Sequence, residues 1–315
     1  MFEIRRFTQD RTKEWNDFVR SSKNGTFLFD RSYMDYHADR FSDYSLMVFR
    51  RGKLYALLPA NADGTTLVSH QGLTYGGLVM NEKTTASDVV QIFKQINTKL
   101  KENGFRRVIY KPVPWIYHRQ PSEEDLYAIV EICHAKLIGR GLSSAICHSC
   151  TNKWYRVRES GSRKAQRRGL VVEASEEWDG FWEILSNNLQ ERYQLNPVHA
   201  VEEIKMLHQR FPQHVQLTVV KEENHIVGGT VLYQFEHVVH SQYIATNNRG
   251  RDIHALDYLF SIVIPNSLRD HSFFDFGIST EKHGSYLNEG LIYQKEGFGG
   301  RGICYDWYEW DLSIQ

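Results

Sequence analysis

The feature that most constrains this chain is a repeat of pattern, with little repeat of residues. Residues 13–22, KEWNDFVRSS, set Trp15, Phe18 and Val19 at helical spacing, and Asn24-Gly25 makes a chain reversal cheap just after them. Residues 44–80 alternate β-formers with Gly and Asn-Ala-Asp-Gly turn signals and read as an antiparallel meander. A second helix is expected in SDVVQIFKQINTKLKENGF, with Ser87 or Asp88 as N-cap and Gly104 as the C′ stop. The strand RRVIYKPVP closes the set, because Pro112 and Pro114 end ladder pairing. The same order then returns: helix EEWDGFWEILSNNLQERY, hairpin and third strand over 215–247, helix HALDYLFSIVIPNSL, strand HSFFDFGIST. Trp15 matches Trp178, Leu46 matches Leu217, Gly76-Gly77 matches Gly250, and Val108-Ile109-Tyr110 matches Phe273-Phe274-Asp275. Two copies of one unit follow from that order, each a mixed, mainly antiparallel sheet flanked by helices, in an α+β class. The boundary is expected between 150 and 151, giving domains 1–150 and 151–315.

A length of 315 residues accommodates two such domains, and 41% hydrophobic against 24% charged residues supplies a core for each. The 38 basic and 38 acidic residues cancel, so no global field draws the chain to nucleic acid or an anionic membrane. Any anion site must be local. The N-terminal MFEIRRFTQDRTKEW lacks the continuous apolar stretch expected of a signal peptide, and no apolar run approaches the roughly 18 residues a spanning helix needs. A cytoplasmic protein with reduced thiols is expected, since Cys133, Cys147, Cys150 and Cys304 are too irregular for a disulfide framework. CHSC could offer two thiolates to zinc, but no second pair completes a tetrahedral set, and no metal is expected.

Three stretches carry chemistry. Basic residues cluster from Arg156 to Arg168, either as a solvated linker helix or as a docking face for a polyanion or a phosphate-bearing substrate. In NNRGRDIHALDYLF, Arg249, Gly250 and Arg251 precede an apolar helix, the place where backbone N–H groups cradle phosphate. Asp252 and His254 stand there where glycines would be wanted, and Asp252 fits the N-cap of the following helix instead. On the strand HSQY, alternation puts His240 and Gln242 on one face and Ser241 and Tyr243 on the other; His70 and Gln71 echo them in the first half, close to Tyr75. Asp275 sits inside a strand between two phenylalanines, where a carboxylate needs a partner.

The repeated order resembles the acyltransferase fold of the GNAT superfamily, and its tandem form is similar to the FemABX group of aminoacyl-transferring enzymes that build peptidoglycan cross-bridges. SRKAQRRGLVVEAS, FFDFGIST and LNEGLIYQKEGFGGR carry that likeness, and KPVPWIYHRQPSEEDLYAIVEICHAKL resembles acyltransferases of bacterial surface-polysaccharide gene sets. The chain departs from the pattern in having no coiled-coil insertion and in placing Gln294 where an aromatic residue is usual. The resemblance implies an acyl or aminoacyl transfer to an amine of a cell-envelope sugar or its nucleotide-linked precursor. Lys295 would stabilise charge, with Glu281 or Asp275 as base. The stretch Arg249, Gly250, Arg251, Asp252 and His254 would stand at the cofactor position, and His70, Tyr75, His240, Gln242, Tyr243 and Ser279 would line the substrate cleft. The donor is acyl-CoA or, as the alternative, aminoacyl-tRNA docked on the basic segment. A non-catalytic sugar or nucleotide-sugar binding module is the rival.

Overall fold

In the computed structural model, which describes residues 2–150 and 152–314, the chain forms two compact units. The first comprises Met1–Gly141, Thr280–Tyr286 and Cys304–Gln315; the second comprises Leu142–Ser279 and Leu287–Ile303. The units therefore do not divide at 150/151 as the repeat suggests. The first boundary falls at 141/142, inside the strand Lys136–Cys147, and the later residues of the C-terminal strand, Arg301–Asp311, return to the first unit.

The first unit contains β1 (Phe2–Arg6), α1 (Thr12–Ser21), α2 (Arg31–Met34), β2 (Ser42–Asp43), β3 (Leu46–Arg50), β4 (Lys53–Leu58), β5 (Asn61–Asp63), β6 (Thr66–Val68), β7 (Val79–Met80), α3 (Ala86–Glu102), β8 (Arg107–Tyr110) and α4 (Glu124–Glu131). Helix α1 buries Trp15, Phe18 and Val19, as their spacing requires. The meander does not form a single ladder. Strands β1, β3, β4 and β7 make one antiparallel sheet, whereas β6 leaves it to run parallel to β8. Residues 69–78 cross that split.

Helix α3 starts two or three residues earlier than its sequence suggests. Thr85 is the N-cap and Asp88 its capping-box partner, the Thr85 hydroxyl accepting from the Asp88 N–H at 3.3 Å. Gly104, at φ +84°, ends the helix as expected. The core of this unit packs Phe93 and Tyr110 around Trp310 of the C-terminal strand, which lies opposite Val108 in the β8 ladder. The Trp310 indole N–H donates to Asn97 Oδ1 at 3.1 Å, so this large ring is buried without an orphaned donor.

The second unit takes its first strand from the end of β9 (Lys136–Cys147) and continues through α5 (Arg156–Arg167), β10 (Val171–Ala174), α6 (Trp178–Tyr193), α7 (Val201–Arg210), β11 (Val215–Glu222), β12 (His225–Gln234), β13 (Val238–Thr246), α8 (Asn248–Asp252), α9 (Ala255–Asp270) and β14 (Phe273–Ile278). The short strands β15 (Thr280–Glu281) and β16 (Tyr286–Leu287) precede α10 (Glu289–Gly297). Strand order is β10-β11-β12-β13-β14-β9, antiparallel except for the β13–β14 pair. Helix α9 sets Phe260 against Phe274, Phe276 and Phe298 at ring separations of 5.1–6.1 Å. Among the described residues no helix is long and apolar enough to cross a membrane.

Removing the Trp310 ring leaves a cavity under β8 and takes the indole donor away from Asn97 Oδ1. Trp310→Ala should cost about 3–5 kcal/mol, read by urea denaturation followed through far-ultraviolet circular dichroism. A loss below about 1 kcal/mol would mean that the C-terminal strand is not part of the first unit's cooperative core.

Candidate active site

Strands β13 and β14 run side by side for three residue pairs, Val238–Phe273, Val239–Phe274 and His240–Asp275, and then part. On its other edge β14 pairs with β9, and an extra residue is accommodated between Asp275 and Ile278. Gly277 absorbs that bulge at φ +76°; a Cβ there would also stand 3.2 Å from His240 Cε1. The last pair before the strands part is therefore held from three sides. Asp275 has no exposed surface; its Oδ2 accepts from His240 Nδ1 at 3.0 Å, and its Oδ1 accepts from the Gly277 N–H at 3.1 Å and from the Ser143 hydroxyl on β9. A carboxylate can only accept, so Nδ1 is the donor of this pair. Asp275 is thus walled in and holds the His240 ring through Nδ1. The expectation named Asp275 as a candidate base; the structure places it here, with both oxygens engaged.

Lys295 reaches the same bulge from α10. Asn288 starts that helix by accepting from the Leu291 N–H at 3.0 Å, which sets the register that turns Lys295 inward. Its Nζ is buried and donates to the Gly277 carbonyl at 2.8 Å and the Ile278 carbonyl at 2.9 Å. Burial lowers its pKa from the ordinary 10.5 to about 8, while the nearby Asp275 works in the opposite direction. Two of its donors are committed to backbone, so Lys295 positions the strand bulge behind His240. Ser279 follows: its N–H donates to the Leu142 carbonyl at 2.7 Å and its hydroxyl is buried with no partner among the described residues.

The stretch at the cofactor position is not a loop. Asn247 caps α8 by accepting from the Gly250 N–H at 2.8 Å, and the residue at the α9 N-cap is His254, at φ +61°, in place of Asp252. Asp252 is the exposed last residue of α8. Arg249 makes a two-pronged ion pair with Glu222 at 2.6 Å, and Arg251 donates to the Thr246 carbonyl at 3.1 Å. Gly250 is required by packing, since a Cβ would stand 2.2 Å from the Val227 carbonyl oxygen. At the start of α9, the buried Asp257 pairs with Arg158 of α5 at 3.0 Å and with His254 at 3.3 Å. Helix α5 comes so near through Gly161 that a Cβ there would stand 2.0 Å from the Asp257 carboxylate. The positive end of α9 faces a carboxylate of the chain itself.

Strict alternation along β13 fails at a bulge. Tyr243 lies opposite Val231 and Ser241 opposite Leu232, leaving Gln242 as the extra residue. Ser241 and Tyr243 consequently take opposite faces, and Tyr243 joins the face of His240, whose partner is Tyr233. The Tyr243 hydroxyl lies 2.6 Å from His199 Nδ1, and its ring packs on Trp182, so it is walled by α6. In the first unit, β6 ends at Val68, so His70 and Gln71 lie in the crossing segment and not on a strand. Tyr75 is core, packed between Phe29 and Tyr117. Glu281 is exposed on β15 and belongs to the first unit. Among the described residues no group of three or more His, Cys, Asp or Glu side chains is placed to hold a metal ion.

The chain is similar in structure to FemX, at 14% identity and TM-score 0.69, covering 99% of this chain and 98% of that one. It is also similar to L-PGS from Bacillus licheniformis (12%, TM-score 0.61, covering 96% and 91%) and to a tandem GNAT protein from the clavulanic acid biosynthesis pathway (9%, TM-score 0.52, covering 99% of each). The fold is the FemX-type, tandem GNAT fold. By sequence, no family model and no curated protein matches. Within this FemX-type fold the sequence signals single out Lys295, His240 and Asp275, which the structure brings together, but not Ser143 or the Gly277 bulge. Gly277, in a strand of Phe and Ile, was the one available sign of a bulge beside His240.

The Lys295 environment gives a pH signature. Between about pH 8 and 10.5 the unfolded chain binds more protons at this lysine than the folded one does, so its contribution to unfolding free energy rises with pH. The cost of burying the ammonium is fully present below about pH 8 and is relieved above it. Wild type should therefore gain stability relative to Lys295→Met between pH 7 and 10, measured by denaturant midpoints. Lys111, buried and also lowered to about 8, is present in both proteins and cancels. Parallel profiles would refute the assignment.

Proposed function

We propose that the protein transfers an acyl or aminoacyl group to an amine of a cell-envelope sugar or its precursor, with His240 as the proton acceptor. The observation that carries this is the Asp275-oriented imidazole at the point where β13 and β14 part. In the reaction the amine nitrogen bonds to the donor's carbonyl carbon and the bond from that carbon to the leaving oxygen or sulfur breaks. The amine proton passes to Nε2 of His240 and from there to the leaving group. Asp275 keeps Nδ1 protonated and stabilises the imidazolium formed on the way, and Lys295 fixes the backbone against which the ring rests.

An aminoacyl ester is favoured over a coenzyme A thioester as donor. Pyrophosphate at the α9 N-terminus would meet Asp257, and α5 already fills the approach. On α5, Arg156, Arg163, Lys164 and Arg167 are exposed, a local basic face on a neutral chain that suits an RNA-borne donor.

With charged tRNA as donor and amino sugars as acceptors, His240→Ala should lower kcat by about 10²–10⁴-fold with KM little changed. Replacing Arg163, Lys164 and Arg167 with Gln should flatten the dependence of log KM on log salt, each lost phosphate contact removing roughly 0.7–0.9 from the slope. Turnover from acetyl-CoA at a rate equal to that from charged tRNA would overturn the donor assignment. A His240→Ala protein that transfers as fast as wild type would overturn the mechanism.

A further inference from the structure

The stretch Cys147-His148-Ser149-Cys150 is a chemical motif of the sequence that the transfer reaction leaves unused. It lies in the second unit, where β9 ends at Cys147 and a single 3-10 turn, His148–Cys150, follows. The neighbouring strand fixes that turn. Cys147 lies opposite Phe273 in the β14 ladder, and the His148 N–H donates to the Ser272 carbonyl at 2.8 Å. One 3-10 turn stacks residue i under residue i+3 with about 6 Å of rise. A disulfide spans roughly 4.4–6.8 Å between Cα atoms. The strand end thus brings the two sulfurs together, and the Cys150 thiol hydrogen-bonds the sulfur of Cys147.

Both thiols are free and open to solvent, Cys147 half-buried and Cys150 exposed. Their surroundings are unequal. Four groups lie against Cys147 Sγ: the Ser149 hydroxyl at 3.1 Å, the Cys150 thiol, and the backbone N–H groups of Ser149 and Cys150. Burial pushes the Cys147 thiol up, but these hydrogen bonds outweigh it and hold the group below the ordinary thiol value. The bond to Cys147 pushes Cys150 the other way. One sulfur is therefore met by donors, as an attacking thiolate needs, and the other keeps its proton until it is called on. Among the described residues no third ligand completes a metal set around the pair. The chemistry open to two neighbouring thiols is exchange with a disulfide.

We propose that Cys147 and Cys150 form a thiol–disulfide exchange site that takes a small-molecule disulfide as its oxidant. The Cys147 thiolate attacks one sulfur of the oxidant; a mixed S–S bond forms, the oxidant's own S–S bond breaks, and the departing thiolate takes up the proton that Cys147 released. The Cys150 thiol then loses its proton and attacks Cys147 Sγ, and the second half of the oxidant leaves as a thiol. Two protein thiols are oxidised to one intramolecular disulfide, and the small disulfide is reduced to two thiols by the two electrons and two protons they give up. Nothing in these steps depends on the transferase reading.

Mass spectrometry of the full chain, after exposure to oxidised glutathione and quenching with iodoacetamide, tests the site. Residues 141–153 form one tryptic peptide that contains Cys147 and Cys150 and neither of the other cysteines. In wild type this peptide should lose two hydrogens and both alkylation sites together, and should regain them with dithiothreitol. Cys150→Ser should stop at a glutathione adduct on Cys147, and Cys147→Ser should slow the reaction of Cys150 roughly tenfold relative to Cys147 in wild type. Neither cysteine is in the buried core, so both variants should keep the wild-type melting temperature. The wild-type peptide decides ring closure by itself. A glutathione adduct that persists in wild type, a bridge to Cys304 or between chains, or a Cys147→Ser protein that reacts as fast as wild type would each overturn the site.

Discussion

A carboxylate with no exposed surface must find a hydrogen bond for each oxygen, and Asp275 finds them on three strands. Ser143 supplies one from β9, the Gly277 N–H supplies another from β14 itself, and His240 supplies the third from β13. Breaking a buried polar tie of this kind typically costs about 3–5 kcal/mol. The tie therefore fixes where the strands stop pairing, which way the imidazole faces and where the backbone bulges. Lys295 can reach the carbonyls of Gly277 and Ile278 only because that bulge turns them toward α10.

The matching position in the first copy has been given to a different task. Tyr110, aligned with Asp275 by the repeat, gives its hydroxyl hydrogen to Asp125 and accepts from the Leu78 N–H at 2.7 Å. Burial raises Asp125 to about 6 and pushes Tyr110 up well beyond its ordinary value, as expected of a sealed pair. Gly77, at φ +87°, lets the crossing segment close over that hydroxyl. One copy closes its split with a core phenol, and the other keeps its split beside the Asp275–His240 pair.

Periodicity in the sequence carried the helices and the order of the strands. Trp15, Phe18 and Val19 predict α1 because burial of one helical face leaves a 3.6-residue signature. Strand detail was not legible in the same way. The bulge at Gln242 reverses the face of Tyr243 relative to Ser241, and a single added residue leaves no compositional mark when its neighbours are Ser, Gln and Tyr. The crossing at 69–78 reads as more meander, because its glycines serve a change of sheet as well as they would serve a turn. The return of Trp310 to the first unit is a long-range pairing, and no local pattern encodes its partner. Helix α7 was a different kind of omission: Glu203, which accepts from the Ala200 N–H at 2.8 Å, and the apolar Ile204 and Leu207 did mark it.

The start of α9 shows how a fold can persist while one of its usual binding features is spent elsewhere. A helix N-terminus attracts anions because its first N–H groups lack partners and its dipole is positive there. In this chain the anion is Asp257, which burial pushes toward its neutral form and which Arg158 and His254 draw back toward the charged one. Arg158 comes from α5, so the same contact that neutralises Asp257 docks the basic helix against the second copy and leaves Arg163, Lys164 and Arg167 facing solvent. A phosphate could take the helix end only by displacing a carboxylate already compensated on both sides, and doing so would release α5. The charge balance at the α9 terminus is therefore closed within the chain, while the outer face of α5 keeps Arg163, Lys164 and Arg167 exposed.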